Sequence, residues 1–118
     1  MVFEIKTQST KFVTIKKRLM GAKEKLSEEK KEYLRNILPE GYMAGSWARN
    51  NVEENPKTTG VVRGNYESSV EVAAILGNFK SKEKALLYEV ALFSYISGYD
   101  NGDESTSSQV DGLLAILE

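Results

Sequence analysis

The chain has 118 residues, a net charge of −1, 41% apolar and 28% charged residues, the balance of a single globular domain spanning 1–118. It holds no Cys and no His, which excludes disulfide frameworks, thiolate or imidazole metal sites, Cys–His pairs and Ser-His-Asp triads. The charge is unevenly laid out. Residues 1–38 carry ten Lys/Arg against five Asp/Glu (+5), and residues 39–118 carry six against twelve (−6). Such a dipole either steers a charged partner or neutralises itself when the two halves pack together.

Phe3 and Ile5 alternate with polar neighbours, the pattern of a short strand. Phe12, Ile15, Leu19, Ala22 and Leu26 then follow at helical spacing, so a helix is expected over about 10–25, capped by Ser9 or Thr10 and weakened by Gly21. Ser27 is a good N-cap for a second run, with Glu28 and Glu29 in its first turn and Tyr33, Leu34, Ile37 and Leu38 as its apolar face. Pro39 is expected to end it. Local propensity leaves open whether 10–38 is one helix or two.

Residues 40–65 read as irregular. Gly41, Gly45, Gly60 and Gly64 punctuate them, Asn50-Asn51 and Asn55-Pro56 look like turns, and 42–48 and 58–63 look like a pair of short antiparallel strands. Ser68-Ser69-Val70-Glu71 matches a capping box, predicting a helix from there to Gly77. Ser81 should cap the next helix, expected to run over about 82–97 with Gly98 as its C′ residue. Its apolar residues surround nearly the whole circumference, which marks a central helix. A last helix should start at Ser107 or Ser108 and bury Val110, Leu113, Leu114 and Leu117.

Together these readings predict a mainly α fold with a small antiparallel sheet (α+β), a compact helical domain around the central apolar helix. The start of the chain lacks the apolar core of a signal peptide, and the longest apolar run is too short to span a bilayer, so a cytoplasmic location is expected.

Four features are candidates for function. The first is Gly41-Tyr42-Met43-Ala44-Gly45-Ser46-Trp47-Ala48-Arg49, where Tyr42, Met43, Trp47 and Arg49 are of the types enriched at protein interfaces, on a stretch that reads as loop. Within it, Gly45-Ser46 followed by the aromatic Trp47 resembles the first motif of nucleotidyltransferases. That motif requires a downstream pair of metal-binding carboxylates, and residues 50–99 contain no Asp. The second is the basic region 11–35. Lys16, Lys23 and Lys30 recur every seven residues and would share one helix face, with Lys17 and Arg18 beside them, a row that could track phosphates. The interleaved Glu24, Glu28, Glu29 and Glu32, and an acidic overall balance, argue for an ordinary solvated face instead.

The third is Asp100-Asn101-Gly102-Asp103-Glu104-Ser105, rich in oxygen ligands but failing the EF-hand spacing, with Ser105 where glycine is required and Asp111 at the bidentate Glu position. Last, Tyr88, Tyr95 and Tyr99 form a strip on the central helix. With the very apolar surroundings it suggests a twofold homodimer.

The expectation is a small non-enzymatic interaction protein, a regulator, inhibitor or adaptor that binds a protein partner through Tyr42, Met43, Trp47 and Arg49. No cofactor, metal or membrane contact is expected. The alternative is a nucleic-acid-binding regulator using Lys16, Lys17, Arg18, Lys23 and Lys30.

Overall fold

The computed structural model describes residues 3–5, 10–101 and 108–118. Every regular element among them is helical: α1 (Phe12–Ala22), a 3₁₀ turn (Lys23–Lys25), α2 (Glu28–Asn51), α3 (Pro56–Leu76), α4 (Ser81–Asn101) and α5 (Ser108–Ile116). The α+β expectation is thereby corrected to an all-α domain, because no strand occurs among the described residues. None of these helices is long and apolar enough to cross a membrane.

The stripe read for α1 is the stripe it buries: Ile15 and Leu19 are fully enclosed, with Leu26 just beyond. The helix starts at Phe12 with no side-chain cap, tightens into the 3₁₀ turn after Ala22, and stops at Leu26, whose backbone is extended (φ −90°, ψ 137°). Residues 10–38 therefore form two helices. The Ser27 hydroxyl accepts the Lys30 N–H at 3.2 Å, the N-cap expected of it, and Glu28 and Glu29 lie in the first turn of α2.

Pro39 does not end α2 but lies inside it, on the exposed side. The Arg35 carbonyl loses its intrahelical donor there. The two strands expected at 42–48 and 58–63 are interior turns of α2 and α3. α3 begins at Pro56, a residue pre-shaped for the first helical position, so Ser68 and Ser69 are exposed mid-helix positions rather than a cap. Its end is as expected near Gly77. The left-handed residue is Asn78 (φ 54°), and Asn78 and Phe79 donate their N–H groups to the Ile75 and Ala74 carbonyls, which makes a Schellman closure.

α4 runs through Gly98 to Asn101, longer than the 82–97 expected, and Ser81 is its first residue rather than its cap. The flanking Lys80 donates its N–H to Glu83 at 2.8 Å, half of a capping box. α4 is central, as its composition implied: Leu87, Val90, Ala91 and Ser94 are fully buried, with α2 as its main partner and α1 and α3 also against it. Val110, Leu113 and Leu117 of the last segment close the core, and Leu114 is half-buried.

The crossing of α2 and α4 explains the glycines. A methyl group on Gly45 would stand 2.0 Å from the Tyr95 carbonyl oxygen, one on Gly98 2.0 Å from that of Tyr42, and one on Gly41 2.1 Å from the Ser94 hydroxyl. Gly41 and Gly45 are four apart on α2, as are Ser94 and Gly98 on α4, so each helix offers a notch to the other's backbone. Tyr66 of α3 reaches the same junction. Its buried hydroxyl lies 3.0 Å from both the Ile37 carbonyl and Ser94 Oγ and 3.3 Å from the Ala91 carbonyl, which ties three helices at one point.

Residues 3–5 are held without a strand partner. The Phe3 and Ile5 N–H groups donate to Glu71 and Glu67 of α3, each at 2.7 Å, and the Phe3 ring stacks on Tyr88 with centroids 5.2 Å apart. Period two in the extended segment thus meets period four in the helix.

Candidate partner-binding surface

The glycine-rich segment expected as a contact loop is helix, and the helix divides the four candidates between two sides. At about 100° per residue, positions 42 and 49 share one side and positions 43 and 47 another. Tyr42 is 4% exposed and belongs to the core, whereas Met43 is 69% and Trp47 36% exposed. Arg49 is tied back to α4: its guanidinium donates to the Tyr99 carbonyl at 3.3 Å and lies 5.8 Å from the centre of the Tyr99 ring. Met43 and Trp47 are therefore brought together, and Tyr42 and Arg49 are not part of that surface.

Sequence reading missed what lies beside them. α2 and α3 are antiparallel neighbours joined by a short turn. α3 exposes Val61, Val72, Ile75 and Leu76, with Ile75 at 77% and Leu76 at 62%. Six of the eight exposed large apolar side chains among the described residues belong to this α2–α3 hairpin. Between the two helices runs a shallow groove of about 390 Å³ lined by Tyr33, Asn36, Glu40, Ser68, Val72 and Leu76. The signal was present in the sequence: α3 carries a second set of apolar positions (Val61, Val72, Ile75 and Leu76) besides its core stripe of Tyr66, Val70, Ala73 and Ala74. A helix with one buried face needs only one.

The basic candidates are also redistributed. The extended Leu26 breaks the heptad row, so Lys30 stands on a different helix from Lys16 and Lys23. Lys30 is taken up by Glu83, with Nζ 2.8 and 3.0 Å from its two oxygens and 6.0 Å from the Phe79 ring centre. Arg18 is paired with Glu89. Lys16 and Lys17 remain exposed and Lys23 half-exposed, without ion-pair partners among the described residues. Part of the sequence's charge asymmetry is consumed in this way, because Arg18–Glu89 and Lys30–Glu83 join the basic and acidic halves.

The tyrosine strip is used within the chain. Tyr95 stacks on Tyr66 (6.1 Å), Tyr88 on Phe3, and Tyr99 under Arg49. All three tyrosines of the strip thus make ring contacts within the chain. In the acidic candidate, Asp100 and Asn101 belong to α4, and 102–105 lie outside the described residues. No group of three or more carboxylates placed to hold a metal occurs among the described residues.

Compared with protein-family models, with curated proteins and with solved structures, the chain shows no match in any of the three.

Proposed function

We propose that this chain is a non-enzymatic binding protein that docks a protein partner on the α2–α3 face, with Met43 and Trp47 as anchors and the Val72, Ile75 and Leu76 cluster extending the contact. The observation that carries the reading is the concentration of exposed large apolar side chains on that one hairpin. Trp is among the residues most enriched at interface hot spots, and a half-exposed indole beside an exposed thioether is a surface a partner can desolvate.

The test is affinity capture from cells that express the native protein, followed by in vitro reconstitution with the captured protein. Wild-type chain, Trp47→Ala, Met43→Lys and Ile75→Lys are compared, with Arg49→Ala beside them. Loss of the captured protein with the first three variants, each with wild-type circular dichroism, is the expected result. Equal capture by all of them overturns the reading. Capture that vanishes on nuclease treatment, and on Lys16→Glu with Lys17→Glu, overturns it in favour of nucleic-acid binding.

A further inference from the structure

A second surface lies between α1 and α4, built from other helices than the one above. It is a groove of about 370 Å³ whose floor is small and apolar: Gly21, Ala22, Leu26, Ala85 and Leu86. Three cations line it, Arg18, Lys25 and Lys82, with two anions, Glu83 and Glu89. Both anions are already engaged, Glu83 by Lys30 and Glu89 by Arg18. Lys25 and Lys82 are exposed and have no ion-pair partner among the described residues. The rim therefore carries two uncompensated positive charges over an apolar floor.

Gly21 differs from the other open helical glycines, Gly60 and Gly64, in lining this groove. It sits inside α1, where glycine costs roughly 1 kcal/mol relative to alanine, yet nothing lies within 4 Å of where its Cβ would be. Unlike Gly45 and Gly98, it makes room for no other part of this chain. Its bareness does leave the groove open down to the helix backbone.

We infer that this α1–α4 groove receives an acidic amphipathic helix of a partner protein, with apolar side chains seated over Gly21 and Ala85 and carboxylates facing Lys25 and Lys82. Charge complementarity selects the occupant: acidic side chains find the two free ammonium groups, and apolar ones cover the floor. A nucleic-acid backbone would satisfy the lysines and leave the floor bare.

A displayed library of random 16-residue peptides, panned against the full chain, tests this. The expected outcome is enrichment of peptides that combine Asp/Glu with apolar residues at i, i+3 or i+4. Their affinity should fall at least tenfold on Gly21→Leu, and at least tenfold on Lys25→Glu with Lys82→Glu. Gly21→Leu fills the groove from a position that touches nothing, so it keeps the fold, and Gly21→Ala serves as the near-silent control. Absence of enriched peptides, or enriched peptides that bind Gly21→Leu undiminished, overturns the inference. Peptides lost on Trp47→Ala but retained on Gly21→Leu also overturn it, while supporting the α2–α3 face. A labelled oligonucleotide that displaces the enriched peptides from Lys25 and Lys82 overturns it in favour of nucleic acid.

Discussion

Gly45 and Gly98 face each other's helices so closely that neither can carry a side chain: a Cβ on either would stand 2.0 Å from a carbonyl oxygen across the crossing. Gly45→Ala or Gly98→Ala must therefore drive α2 and α4 apart over their main contact. Each is expected to cost about 3 kcal/mol or more, at the upper end of overpacking effects. Urea denaturation midpoints measure it. A loss below about 1 kcal/mol would show that the helices do not approach this closely.

The opposite sign is expected at Gly60 and Gly64. Both lie inside α3 with nothing within 4 Å of the place a methyl group would take, so alanine there only restricts the unfolded chain and improves helix propensity. Each substitution should add about 0.5–1 kcal/mol, read from the same titration.

These two kinds of glycine show why half of the fold was legible. Helices α1 and α5 were readable because their apolar residues recur at helical spacing, α4 because it is apolar nearly all round, and Ser27 because capping is a local matter. Residues 40–65 were misread because propensity treats every glycine as a breaker. At Gly41, Gly45 and Gly98 the glycine is demanded by a helix distant in sequence, and the burial gained at the crossing outweighs the local penalty. The spacing of four shared by Gly41/Gly45 and Ser94/Gly98 was the available clue. The loop reading of 42–49 erred for the same reason: it grouped Tyr42 with Met43, whereas helical geometry separates neighbours and unites positions four apart.

Tyr66 sets the alkaline limit. Burial pushes its hydroxyl well above the ordinary tyrosine range, and Ser94 offsets this only in part. Burial likewise raises Tyr95 and Tyr88. The unfolded chain releases these protons near pH 10 while the folded one keeps them, so stability is intact below about pH 10 and declines as pH rises above it. Tyr66→Phe should cost about 1–2 kcal/mol at pH 7 and make that decline shallower. Thermal unfolding at pH 7 and pH 10.5 checks both, and an unchanged alkaline slope would contradict the assignment.

Glu83 acts at the acid end. Lys30, and then the Lys80 backbone N–H, hold its carboxyl below the ordinary carboxylate range. Its contribution is therefore present above about pH 4.3 and disappears as pH falls through the lower folded value. Glu83→Gln should destabilise by about 1 kcal/mol at pH 7 and by progressively less toward pH 3. Melting temperatures across pH 3–7 would reveal the convergence.

The extended segment at 3–5 depends on two carboxylates. Glu67→Ala with Glu71→Ala removes both acceptors of the Phe3 and Ile5 N–H groups. Amide hydrogen exchange at those two positions should speed up by about tenfold or more, as expected for the loss of a charge-assisted bond, while exchange in α4 stays unchanged.

The α2–α4 crossing also has a history in time. Its halves are separated in the chain by all of α3, and at about 5–20 residues per second a ribosome takes roughly 3 to 10 s to go from Gly45 to Gly98. For that interval the nascent α2 presents Leu34, Leu38, Tyr42 and its glycine notch with no α4 to cover them. A chain interrupted before residue 81 never acquires that cover, so stalled or clipped products keep this apolar face of α2 without its fourth-helix partner.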